Sequence, residues 1–313
     1  MPPRFLSSVI SCSLLVCGCI ASLAQSPAPA IAAVGYTNPF PIIAAPGQLV
    51  TLYVQAPAGS NISAVYWNQQ SQEPVPVLQV GSSGTGCIAP PDSPCAGYLA
   101  VTVQIPFDAP LNVIAVEPTS LAVSINGVQS SYVGVLSRED HVHILTSCDT
   151  IIQSDPACAP LILHAHGQPV SWQQPAVGGE TLVAYATGLG QTNPPLATGV
   201  PAAQSSPALS PFNMDFNYRP NALATQPSTI QPPGDPPLYA GSTQGFIGLY
   251  QINFVVPPPP AGLESCSNLN FLADGPVGGL VLSNLTVSVG SLVSFDGAGI
   301  CVMPQPVLDP PAA

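Results

Sequence analysis

Apolar residues recur with a period of two in short runs along most of this chain. Leu49, Thr51 and Tyr53 alternate with Val50, Leu52 and Val54, and Leu121, Val123 and Ile125 alternate with Ala122, Ser124 and Asn126. Alternation rich in Val, Ile, Thr and Tyr, bounded by Gly, Pro, Asn and Ser, predicts strands. Asn126-Gly127 between two such runs predicts a tight hairpin, because both residues tolerate positive φ. No window carries an apolar stripe over three helical turns, and prolines break most candidates.

The strand pattern occurs twice. Gly47-Gln-Leu-Val-Thr-Leu-Tyr53 matches Gly179-Glu-Thr-Leu-Val-Ala-Tyr185, and Val101-Thr-Val-Gln-Ile-Pro106 matches Ile252-Asn-Phe-Val-Val-Pro257. Leu121-Ala-Val-Ser-Ile-Asn-Gly127 is echoed by Leu285-Thr-Val-Ser-Val-Gly290. Three blocks in one order, too far apart for a solenoid unit, make each copy a domain. The expected fold is all-β, two tandem antiparallel β-sandwich domains of immunoglobulin-like type with proline-rich loops. The boundaries read as a leader at 1–24, a first domain at 25–137, a linker with a disulfide loop at 138–175 and a second domain at 176–303. Residues 304–313 read as a flexible tail. Within the second domain, residues 191–245 are rich in Pro, Ser, Gln and Asn and read as an irregular insertion rather than added core.

Charge narrows the partners. Of 313 residues, 15 are acidic and 3 basic, with no lysine, for a net charge of −12. Such a chain cannot neutralise phosphates, which excludes nucleic acid as a partner, and it has no polybasic patch for anionic lipid. The residues that build Glu–Lys ladders on long helices are missing as well. Hydrophobic content of 46% supports cores in spite of the low charge.

Residues 1–24 have the pattern of a secretory signal: Arg4, an apolar run from Leu14 to Ile20, then Ser22-Leu23-Ala24 before Gln25. The apolar stretch is short and broken by Ser and Gly, so no transmembrane helix is expected once it is removed. Val16-Cys17-Gly18-Cys19 approximates a lipoprotein cleavage box, which makes Cys19 the alternative lipidated residue. The protein is therefore expected to be exported: secreted, periplasmic or at the cell surface. Three of the nine cysteines fall in the leader, leaving six. An even number in an exported chain implies disulfides. Cys87 with Cys95 and Cys148 with Cys158 close short loops, and Cys266 with Cys301 follows by elimination.

Gly178-Gly-Glu-Thr-Leu-Val-Ala-Tyr-Ala-Thr-Gly-Leu-Gly190, then Tyr239-Ala-Gly241 and Ile247-Gly-Leu-Tyr-Gln-Ile-Asn-Phe-Val-Val-Pro257, resemble an uncharacterised secreted C-terminal domain family of acidobacteria, the Solibacter type. The first copy resembles the upstream part of that family, through Ala45-Pro-Gly-Gln-Leu-Val-Thr, Val103-Gln-Ile-Pro-Phe-Asp and Ser124-Ile-Asn-Gly. The resemblance implies immunoglobulin-type modules in exported proteins and carries no catalytic residues. Read physically, Thr187-Gly-Leu-Gly190 is a strand end entering a turn where glycine allows positive φ or close backbone approach. Tyr250 is expected at a core edge with its hydroxyl on a backbone carbonyl, facing away from Asn253.

The candidate chemistry is sparse. All four histidines lie in His-x-His pairs, His141 with His143 and His164 with His166. On an extended strand, residues two apart point the same way, so each pair presents two imidazoles to one metal, Zn or Cu if the pairs converge. Glu139, Asp140 and Asp149 stand near as ligands or supports. The other reading places the histidines on a solvent face, with no cofactor. Trp67, Trp172 and Tyr66 read as core or edge packing, or as an aromatic platform. The nucleophile-elbow, zinc-protease, phosphate-loop and calcium-loop motifs are all missing. The leading expectation is a non-enzymatic exported protein for binding, adhesion or cell-surface architecture, with an extracellular protein or glycan as partner. The alternatives are an exported metal-binding protein and, third, a secreted hydrolase.

Overall fold

The computed structural model describes residues 31–34, 42–68, 70–82, 98–112, 119–149, 159–228, 234–266 and 281–305. The expected leader, Cys19, the Cys87–Cys95 and Cys148–Cys158 pairings and residues 306–313 lie outside what is described.

The described strands fall into two sets. The first set is β1 (Ile31–Val34), β2 (Ile42–Ala44), β3 (Leu49–Gln55), β4 (Ile62–Trp67), β5 (Gln72–Val75), β6 (Val77–Ser82), β7 (Tyr98–Gln104), β8 (Thr119–Ile125), β9 (Val128–Gln129) and β10 (Val133–Ser137). The second is β11 (His143–Ile144), β12 (Ile162–His164), β13 (Thr181–Thr187), β14 (Asn213–Asn217), β15 (Tyr239–Ser242), β16 (Tyr250–Val255), β17 (Leu285–Gly290) and β18 (Phe295–Ile300). The fold is all-β, with no α-helix among the described residues. No helix there is long and apolar enough to cross a membrane.

In the first body, one sheet has the order β1-β3-β7-β6 and the other β2-β10-β8-β4-β5, with β9 hairpinned onto β8. The period of two does its work here. Val50, Leu52 and Val54 of β3 and Val101 and Val103 of β7 point inward, meeting Tyr66, Leu121, Val123 and Val135 from the facing sheet. Asn126 and Gly127 take φ of 51° and 85° in the β8–β9 hairpin, as the Asn-Gly pair requires. Pairing is not wholly antiparallel as expected: β2 runs parallel to β10. β1 and β2 belong to different sheets.

The second body repeats this plan. β13 pairs with β16 on one side and with β11 and β12, end to end, on the other, and β15 lies beyond β16. The facing sheet is β14-β17-β18. Leu182, Ile252 and Phe254 pack against Met214, Val287 and Ile300 between the sheets. Even the minor pairings recur. A parallel bridge from Ala176 to Val302 echoes β2–β10, and a bridge from Met214 to Asp235 echoes β4–β5.

Two expectations are corrected. Residues 138–175 are more than a linker, because β11 and β12 within them complete the edge of the second body. Residues 191–245 are not an irregular excursion either. They contain β14 and β15 and bury Ala202, Phe212 and Met214. A two-sheet body needs strands between its second and fifth, and a polar, proline-rich composition hid them. Part of this stretch also lies across the outer face of β17. Thr286 donates to the Ala222 carbonyl at 2.7 Å, and Thr225 N donates to Ser288 Oγ at 3.2 Å. That cover explains why all six residues of β17 are buried.

The Cys266–Cys301 disulfide forms as expected, with Cα atoms 5.6 Å apart. It fits an oxidising, extracytoplasmic compartment.

Candidate functional site

The two bodies meet at a junction built from the turn before β3, the end of β7, the chain leaving β10 and the loop after β13. Gly188 and Gly190 have φ of 76° and 80°. A Cβ at Gly188 would lie 1.9 Å from the His141 carbonyl oxygen, and one at Gly190 would lie 2.0 Å from that of Glu139. Both reasons for glycine, the turn and the close approach, therefore apply at once. His141 N donates to the Gly188 carbonyl at 2.7 Å. From the core side, the fully buried Tyr250 hydroxyl donates to the Gly190 carbonyl at 2.6 Å. Asn253, of opposite parity, is only half-buried.

Two fully buried glutamines of the first body face this loop. Gln104 donates through Nε2 to the Gly47 carbonyl at 3.0 Å and accepts at Oε1 from Gly199 N at 2.6 Å. Gln48 accepts from Ala45 N at 2.8 Å and donates through Nε2 to His141 Nδ1 at 3.3 Å. Phe107 is held from both sides: its N–H donates to Thr198 Oγ1 and its carbonyl accepts from Gln191 Nε2, each at 3.0 Å. Buried amides with every polar atom engaged fix one arrangement, since breaking any bond strands a group without water.

Beside these contacts a groove opens. One cavity of about 410 Å³ is lined by Phe107, Asp108, Gln191, Asn193, Leu196 and Leu209. A second of about 250 Å³ shares Gln191 and Leu209 and extends to Pro46, Leu111 and Glu139. The walls come from both bodies. Apolar lining with a few carboxylates and amides at a junction is the usual make-up of a ligand site.

The histidines are divided among separate tasks. His143 on β11 has Asp296 Oδ2 at 3.0 Å from Nδ1 and Asp149 Oδ2 at 3.0 Å from Nε2. Asp296 also accepts from Ile144 N at 2.9 Å, and Asp149 from Thr146 N at 2.6 Å. Burial pushes His143 down, but the two carboxylates outweigh it and raise its pKa to about 9. Asp149 is lowered: the His143 bond overcomes the upward push of burial. The ring thus acts as a cationic bridge between β11, the 3-10 turn Ser147–Asp149 and β18. His141 is lowered by burial and by His143, and its Nδ1 accepts from Gln48 Nε2, an amide nitrogen that can only donate.

His164 does stack on His166, with ring centroids 5.2 Å apart, so this pair shares a face. Yet both His164 nitrogens are engaged, Nδ1 with Glu180 Oε1 at 2.6 Å and Nε2 with the Gln174 carbonyl at 3.1 Å. Glu180 is lowered, its bond to His164 outweighing burial. Among the described residues no group of three or more His, Cys, Asp or Glu side chains is placed to hold a metal ion. The carboxylates on His143 sit on opposite ring nitrogens, where they cannot chelate with it. Buried Asp140 instead accepts from the hydroxyls of Ser291 and Ser294, which ties the β17–β18 turn to the chain leaving β10.

Trp67 and Trp172 are exposed, whereas Tyr66 is fully buried. Of the three, only Tyr66 lies in a core, and the two tryptophans sit at the surface. Gln48, Gln104 and Asp296 escaped the sequence reading. The available signal was a long amide, Gln104, ending an apolar strand where the second copy has Val255. Comparison with known protein families and with curated proteins finds no match to this chain.

Proposed function

We propose that the chain is a non-enzymatic exported protein of two tandem immunoglobulin-like domains that binds an extracellular protein or glycan, in adhesion or cell-surface architecture. The strand order supports the domain type. The orders β1-β3-β7-β6 facing β10-β8-β4 in the first body, and β11-β13-β16-β15 facing β18-β17-β14 in the second, support an immunoglobulin-like reading. The repeated blocks and the resemblance to secreted acidobacterial domains agree with it. The signal pattern and the disulfide support export, with lipidation of Cys19 as the route to surface attachment.

The observation that carries the binding role is the groove walled by Phe107, Asp108, Gln191 and Leu209 at a junction of fixed geometry. The test is a screen of the mature chain against extracellular glycans and peptides, followed by Leu209→Asp. Leu209 is exposed, so the substitution leaves folding intact. A ligand whose binding falls at least about tenfold in the variant supports the proposal, that being the effect of losing one apolar contact and adding a desolvated charge. A ligand bound equally well by the variant contradicts it.

A further inference from the structure

The two bodies present the same pole twice, and among the described residues only the first is covered. Matching hydrogen bonds establish the equivalence. Gly47 N donates to the Ile105 carbonyl at 3.0 Å as Gly179 N does to Val256 at 2.8 Å, and Ile105 N returns to Gln48 O at 2.9 Å as Val256 N does to Glu180 O at 2.8 Å. The side chain of Gln48 accepts from Ala45 N just as that of Glu180 accepts from Val177 N, at 2.8 and 3.0 Å. Val177 therefore stands where Ala45 does, and Val255 where Gln104 does. In the first body both places are fully buried, and the loop after β13 sits on Gln104 through Gly199. In the second body Val177 is 50% exposed and Val255 41%.

More apolar surface gathers there. Met303, just past the Ala176–Val302 bridge, is 50% exposed. Trp172, 46% exposed, lies in the turn whose Gln174 carbonyl meets His164. Charge is subdued in the turn itself, since both carboxylate oxygens of Glu180 are occupied, by His164 and by Val177 N. Glu264 stands at the rim, its carbonyl bonded to Asn284. For a chain of net charge −12, self-association needs a face where like charges do not meet.

We propose that this pole docks a second copy of the chain, head to tail, as the first body's pole docks the second body. The element that covers the first pole is the loop between the second and third strands of the next body. Its counterpart by strand order on an incoming copy is the much shorter loop between β3 and β4, Ala56-Pro-Ala-Gly-Ser-Asn61, which carries no charge and past Ala56 is largely exposed. A heterologous contact of this kind does not close on itself, so association continues past the dimer.

Sedimentation velocity on the full mature chain across a wide concentration range reads this directly, beside Val177→Glu/Val255→Glu. Both positions are exposed, and an unchanged thermal melt verifies that the variant folds. The expected result is a ladder of species growing with concentration, with association weakened on the order of a hundredfold in the variant, as for a charge buried without a partner. A chain that stays monomeric at hundreds of micromolar, stops at a dimer, or associates equally well in the variant overturns the proposal. A chain that associates only after residues 306–313 are removed would make its own tail the occupant and overturn it too.

Discussion

Gly47 and Gly179 open the same turn in the two bodies, with φ of 78° and 87°. A Cβ at Gly47 would fall 2.2 Å from the Phe107 ring, whereas one at Gly179 would meet nothing within 4 Å. The neighbouring side chains diverge in the same way. Gln48 and Glu180 both cap the turn, but Gln48 reaches across to His141 of the connecting segment and Glu180 to His164 of its own body. Gln104 binds the other body and Val255 faces outward. The turn's backbone chemistry belongs to the fold and recurs in both copies. What its side chains do depends on whether a neighbour sits on top. A junction between repeated modules can therefore be recognised where equivalent positions differ in burial while their hydrogen bonds do not.

The most damaging way to break the comparison is Gly188→Ala. It adds the penalty of a side chain at positive φ to a collision with the His141 carbonyl, for a loss of about 3–5 kcal/mol by urea unfolding. Next, Gly47→Ala should cost about 2 kcal/mol more than Gly179→Ala, because only the first meets a ring as well as the left-handed backbone. Equal losses would mean that Phe107 yields freely. Gln104→Ala should follow, at about 1–3 kcal/mol for the stranded Gly199 N and Gly47 carbonyl. Val255→Ala at the open pole should change stability by less than about 0.5 kcal/mol.

The His143 bridge adds a pH-dependent effect that is separate from the junction. Its folded pKa, about 9, lies above the ordinary value of 6.5. The stabilisation is thus complete below about pH 6.5 and is lost as pH rises through about 9, where the folded ring finally releases its proton. Asp149 works in the other window, since its lowered pKa makes stability fall as acid protonates it. Urea midpoints at pH 6 and pH 9.5 should differ in the native chain by an amount that His143→Gln removes. An equal decline in both chains would place the pH dependence elsewhere.

Much of the fold was legible because the period of two is enforced by burial. β3, β8 and β16 lie where alternation placed them, and the Gly-Leu-Gly block and Tyr250 behave as their chemistry demands. β14 was hidden in residues 191–245, because Asn213-Met-Asp-Phe-Asn217 carries polar residues on a face that is covered locally rather than by a second sheet. The candidate site was hardly legible. Histidines spaced for one strand face ended with different partners, since His143 is drawn to Asp296, distant in sequence. Nor does local composition mark a buried glutamine, whose partners belong to another body.

The central claim is that the junction locks the two bodies into one unit, and calorimetry tests it most directly. A single transition is predicted, with calorimetric and van't Hoff enthalpies in agreement, splitting into two when Gly188→Ala opens the junction. Two separate transitions in the unsubstituted chain would contradict it, leaving two sandwiches that merely share a chain.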